Sequence, residues 1–113
     1  MKESKQDIIK KKLAPYRRRI DKIDDRILEL LDERFGIARV VAALKKRDNI
    51  HIIHPKRVQE VKDRNVATAK KYGIPHKMVL NIYELIIGEM HKLEISIKGK
   101  PKKKKATPQK RKA

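Results

Sequence analysis

The chain of 113 residues contains no cysteine and no tryptophan. Without cysteine it can form no disulfide, no thiolate nucleophile and none of the usual structural zinc sites. One Phe and three Tyr are too few to form a cluster that stacks nucleic-acid bases. No stretch is long and apolar enough to span a membrane, and residues 1–12 lack the apolar core of a signal peptide. We therefore expect one cytoplasmic domain, stabilised by packing and by association.

Basic residues are abundant, and they are unevenly distributed. The net charge is +18, and residues 98–113 hold nine of the 32 basic residues and none of the 14 acidic ones. This segment also contains Pro101 and Pro108 and has no apolar face, so we predict a disordered Lys-rich tail. Such a tail can contact polyanions non-specifically, and the charge raises the alternative of a nucleic-acid-binding protein. That alternative lacks a recognised base-reading motif.

A long helix is the strongest pattern in the chain. Apolar positions recur at alternating spacings of three and four, which is typical of a helix that buries one stripe. Pro15 suits a first turn, and only Gly36 interrupts the pattern before Arg47. The result is a helix of about 32 residues and roughly 48 Å, preceded by a flexible extension over residues 1–12. We call its stripe the apolar seam: Ile20, Ile23, Ile27, Leu30, Arg34, Ile37, Val41 and Leu44.

Two shorter helices complete the predicted domain, which covers residues 13–97. Pro55 opens a second helix that continues to about Tyr72, where Gly73 stops it. A third follows Pro75 and continues to about residue 97. The fold class is therefore all-α, with three helices and a very long first one. Because that helix would project beyond a compact monomer, we expect a homodimer.

Arg34 falls where the apolar seam calls for a leucine. A buried, unpaired guanidinium costs several kcal/mol, so an anion from a ligand or a neighbouring chain should meet it. Lys45 lies eleven residues later, within about 20° of the same azimuth. Arg17 lies about 25 Å from Arg34 along the axis, so only a second copy of the helix could bring it to Lys45. A plain dimerisation coil would not place two cations on its buried stripe.

Glu94 is the acidic counterpart, because steps of four place it beside Met90 on the apolar face of the third helix. One interpretation is a structural ion pair with Arg34. The other is a neutral acid that donates a hydrogen bond in a desolvated pocket.

Arg57 begins the second helix, where free backbone N–H groups can help to bind an anion. Together, Arg17, Arg34, Lys45 and Arg57 would suit a ligand with two carboxylates. The four histidines form no credible metal site, and most should be solvated.

Several segments resemble the all-helical (type II) chorismate mutase family over about residues 13–97. The run from Tyr16 to Arg34 contains Ile-Asp-x-Ile-Asp, then Leu-Leu and Glu-Arg. Lys45, the segment His54-Pro55-Lys56-Arg57 and the segment Tyr83–Ile87 follow at matching positions. The resemblance implies an intertwined dimer and the pericyclic rearrangement of chorismate to prephenate in aromatic amino acid biosynthesis. That reaction needs no metal and no cofactor.

The resemblance also implies site roles. Arg17 of the partner chain and Arg34 would bind the substrate carboxylates, with Arg57 assisting. Lys45 and Glu94 would contact the ether oxygen.

Three departures affect the substrate ring. Val58 stands where the family usually has a Glu that binds the ring hydroxyl, His54 where an Asp is common, and Met90 where a Ser is common. Val58 and Met90 would still line the substrate pocket. An Arg-Val pair is also similar to isochorismate pyruvate lyases and to 4-amino-4-deoxychorismate mutases, which are the alternative activities.

Overall fold

The computed structural model describes residues 3–99, which form three α-helices and no strand. Helix α1 is Lys5–Asp48, α2 is Pro55–Tyr72 and α3 is His76–Lys98. The predicted all-α class and three-helix order are confirmed. The chain divides into two compact units, of which the first ends at Gly36 and the second begins at Ile37. From residue 100 onward, the predicted Lys-rich tail lies outside the described residues, and Lys98 is the last residue of α3.

The first unit consists of the N-terminal part of α1. The predicted helix start at Pro15 was wrong, because α1 begins at Lys5 and residues 5–12 are helical rather than a flexible extension. Ser4 caps the helix, since its hydroxyl accepts the Asp7 N–H at 3.1 Å and its carbonyl accepts the Ile8 N–H at 3.1 Å. Pro15 removes only one backbone donor, and the helix continues through it.

The second unit contains the end of α1, a connector, α2 and α3. Asn49, in a left-handed conformation with φ of 55°, ends α1, and the Ile50 N–H bonds the Lys45 carbonyl at 2.8 Å. Gly73, with φ of 70°, ends α2 in the same manner, as predicted. The connector of residues 49–54 and the turn of residues 73–75 are therefore short, and they set where α2 and α3 begin.

Small side chains form much of the core of the second unit. The buried apolar residues among residues 3–99 are Ala38, Ala42, Ala69, Val79 and Met90. Ala42 is completely buried. Lys45 lies one turn after Ala42, so its charged side chain extends the buried face of α1.

Candidate active site

A buried ion pair joins α1 to α3. The Lys45 Nζ donates to Glu94 Oε1 at 2.7 Å, and the two side chains are 15% and 9% exposed. Glu94 is the buried charged residue of the described chain. The structural interpretation paired it with Arg34, but the partner that it has is Lys45. An ammonium and a carboxyl group in this desolvated position can both act on a polar atom of a ligand.

The connector orients this pair through its main chain. Lys45 Nζ also donates to the Ile52 carbonyl at 2.7 Å. At the other end of the connector, Lys98 Nζ donates to the Ile50 carbonyl at 2.5 Å. Lys45 thus has two fixed acceptors, and it retains a third N–H for a ligand.

An open groove of about 560 Å³ lies between α2 and α3. Its lining residues are Ile53, Pro55, Val58, Gln59, Lys62, Glu84, Ile87, Gly88 and His91. We call it the α2/α3 groove. Val58 is half-buried there, whereas Met90 is 4% exposed and belongs to the core. The groove is wide enough for a small ring compound.

Two of the predicted site arginines, Arg17 and Arg34, lie on α1 in the first unit. Arg17 is exposed and Arg34 is half-buried. Large apolar residues of the apolar seam are exposed around them: Ile20, Ile23, Ile27 and Leu30 are 50–58% exposed. An exposed stripe of this kind usually marks a surface that another chain covers.

Arg57 and His54 lie at the start of α2. Arg57 is exposed, and its Nη1 lies 3.6 Å from Glu60 Oε1, an exposed pair that stabilises little. The His54 ring bonds the His51 carbonyl at 2.8 Å. Neither residue is held in place for a ligand by buried contacts.

Comparison with known proteins decides the family. The model of the family "Chorismate mutase type II" matches residues 16–95. The chain is 34% identical over 76 residues to a chorismate mutase of Methanocaldococcus jannaschii, covering 67% of this chain and 77% of the relative. The chain belongs to the type II chorismate mutase family.

Two further relatives are of interest. A 4-amino-4-deoxychorismate mutase of Streptomyces venezuelae is 30% identical over 82 residues, covering 73% of this chain and 80% of the relative. A bifunctional chorismate mutase/prephenate dehydratase of Aquifex aeolicus is 35% identical over 89 residues, 76% of this chain and 25% of the relative. No solved structure gave a significant match.

In this member of the type II chorismate mutase family, the second unit brings Lys45 and Glu94 together, with Val58 in the neighbouring groove. The roles of Arg17, Arg34 and Arg57 stay predictions.

Sequence reasoning missed the Ile52 carbonyl, since a main-chain acceptor leaves no trace in side-chain patterns. It also missed His91, which is half-buried in the α2/α3 groove although most histidines were expected to be solvated.

Proposed function

We propose that this protein is a chorismate mutase, an isomerase that converts chorismate to prephenate in aromatic amino acid biosynthesis. The observation that carries the proposal is the buried Lys45–Glu94 pair, with its 2.7 Å contact, in a chain of this family. Chorismate mutase activity in the Methanocaldococcus jannaschii relative agrees with it. The reaction breaks an ether bond and forms a carbon–carbon bond within one molecule, so the protein needs to supply geometry and charge rather than a nucleophile.

Each residue has a distinct part in this mechanism. The Lys45 ammonium donates to the ether oxygen, where negative charge develops as the bond breaks. In the complex with substrate, Glu94 in its neutral form donates to the same oxygen, whereas in the chain alone it is the ionic partner of Lys45. Arg34 and the partner's Arg17 bind the two carboxylates and hold chorismate in its reactive conformation, with Arg57 assisting at the rim.

A homodimer is part of the proposal. The exposed apolar seam supports it, because five of its side chains, Ile20, Ile23, Ile27, Leu30 and Ile37, are 50–65% exposed. A second copy would cover them and would bring its own Arg17 to the site. Among residues 3–99 no helix is long and apolar enough to cross a membrane, and the expected cytoplasmic location stays a prediction.

A second activity has support from one observation. Val58 supplies no carboxylate to the groove, and the Streptomyces venezuelae relative is a 4-amino-4-deoxychorismate mutase. The runner-up is therefore a mutase of the aminated substrate. Isochorismate pyruvate lyase activity stays the third alternative.

The test is an assay of the purified full chain with three substrates. Chorismate consumption is followed by absorbance and prephenate is identified by product analysis. 4-Amino-4-deoxychorismate and isochorismate are run in parallel, the latter scored for pyruvate and salicylate. Prephenate formation is the expected result. Turnover of the aminated compound alone would favour the runner-up, pyruvate from isochorismate alone would favour the lyase, and no turnover of any of them would refute the proposal.

A further inference from the structure

The α2/α3 groove begins beside the Lys45–Glu94 pair. The Ile52 carbonyl accepts a hydrogen bond from Lys45, and the next residue, Ile53, lines the groove. On α3, His91 lies three residues before Glu94, which places their Cβ atoms about 5–6 Å apart on the same helix surface. A ligand atom held by Lys45 and Glu94 therefore has its neighbouring atoms within reach of His91.

Next to Glu94 on α3, His91 is the polar residue of the groove lining, because Ile87 and Gly88 carry no polar side chain. Ile53, Pro55 and Val58 are apolar. Gln59 donates its amide N–H to Asp63 at 2.9 Å. Lys62 and Glu84 are paired with each other at 3.3 Å, and Glu84 lies seven residues before His91, about 10 Å away along α3.

We propose that His91 is a specificity-determining residue, whose imidazole hydrogen-bonds the substituent on the substrate ring next to the reacting ether. This inference rests on the proposed function. In chorismate that substituent is a hydroxyl group, carried by the ring carbon adjacent to the ether-bearing carbon. A substituent on that carbon lies close to the ether oxygen and therefore close to Glu94. On the side that faces the α2/α3 groove, His91 can form a hydrogen bond with it, whereas Val58 is apolar.

The His91 imidazole can bind the ring substituent of chorismate and also that of 4-amino-4-deoxychorismate. A neutral imidazole has one N–H donor and one acceptor nitrogen, so it can bond a hydroxyl group or accept from an ammonium group. A valine at this position would offer neither atom, so the loss of the imidazole should weaken the contact to either ring substituent.

The test measures kcat/KM of the full chain for chorismate and for 4-amino-4-deoxychorismate. The variants are His91→Val and His91→Phe, which remove both hydrogen-bonding atoms, and His91→Gln, which keeps a donor and an acceptor. His76→Val is the matched control, because His76 is the exposed first residue of α3. Circular dichroism and sedimentation show whether each variant keeps its fold and assembly.

We expect His91→Val to lower kcat/KM for the substrate that the native chain prefers by about tenfold, the value of one neutral hydrogen bond. His91→Phe should lose about as much, and His91→Gln should stay within about threefold of the native chain. His76→Val should behave as the native chain does.

Two outcomes separate this inference from the proposed function. If the native chain converts chorismate and folded His91→Val matches it for both substrates, the role of His91 is refuted and the mutase remains. If His91→Val does not fold, folded His91→Phe with native kcat/KM for both substrates refutes it instead. A native chain that converts neither substrate refutes the proposed function, and the inference with it.

Discussion

Lys45 and Glu94 are separated by 49 residues in the chain, yet their side chains meet at 2.7 Å between α1 and α3. Each is the other's main source of compensating charge in a position from which most water is excluded. The pair therefore contributes to the folded state as well as to the proposed chemistry, and the two contributions can be measured separately.

Replacement of Lys45 by alanine should destabilise the fold. It leaves the buried Glu94 without its cation, and breaking one side of a buried pair costs about 3–5 kcal/mol in free energy of unfolding. Urea denaturation measures this loss. The control is Lys92→Ala, which removes the exposed 3.1 Å pair with Glu89 and should cost less than about 1 kcal/mol. Equal losses for both variants would contradict the buried character of the Lys45 pair.

Replacement of Glu94 tests its role as a hydrogen-bond donor to the ether oxygen. The amide of Glu94→Gln keeps a donor, so this variant should stay within about tenfold of the native kcat/KM, whereas Glu94→Leu, which removes the donor, should lose at least about 100-fold. Glu89→Gln, at an exposed position of α3, should keep the native value. Native kcat/KM in a folded Glu94→Leu variant would show that Glu94 does not act on the substrate.

Replacement of Arg34 by alanine should reduce kcat/KM at least about 100-fold, because a charged ligand of a substrate carboxylate is lost. The helical content by circular dichroism and the dimer by sedimentation should persist. Arg39→Ala is the control, since Arg39 is exposed on α1 and five residues away. Retained activity in Arg34→Ala would refute its assignment as a substrate ligand.

A charge on the apolar seam should break the proposed dimer. Ile27 is 50% exposed in the single chain, and a second copy would bury it. Ile27→Glu should therefore sediment as a monomer and lose activity together with the partner's Arg17, since a buried unpaired carboxylate opposes association. Asp25→Lys changes a charge on the opposite side of the same helix turn and should remain dimeric. A dimeric Ile27→Glu would exclude the apolar seam as the interface.

Deletion of residues 100–113 tests whether polyanion binding by the basic tail is independent of the activity of the helical domain. The shortened chain retains Lys98, whose Nζ bonds the Ile50 carbonyl, so mutase activity should persist. Salt-dependent binding to random-sequence DNA should fall steeply, because eight of the nine cations of residues 98–113 are removed. Gel shift at two salt concentrations measures it. Binding that survives the deletion would place the polyanion contact in the helical domain.

Local signals predicted most helix boundaries. Pro55 and Gly73 fix their backbone geometry by themselves, and α2 starts and stops where they stand. Pro15 misled the prediction because proline is compatible with a first turn and is also tolerated inside a helix that packing or length stabilises. The earlier start coincides with Ser4, a common N-cap residue whose hydroxyl accepts the Asp7 N–H.

The site was predicted in part. Periodicity placed Lys45 and Glu94 on buried faces of their helices, and burial of both side chains is confirmed. It gave no information on their pairing, because the two residues lie on different helices, 49 positions apart in the chain. His91 escaped notice because the groove that it lines depends on how α2 packs on α3. Contacts between distant segments require the fold itself.

The connector of residues 49–54 interacts with the site through carbonyl oxygens, those of Ile50 and Ile52. Every amino acid has a carbonyl oxygen, so the identities of these two residues can vary while the acceptors remain. A change in length has a different effect, because one inserted or deleted residue shifts both acceptors relative to Lys45 and Lys98. The orientation of Lys45 therefore depends on the number of residues in this loop more than on their side chains.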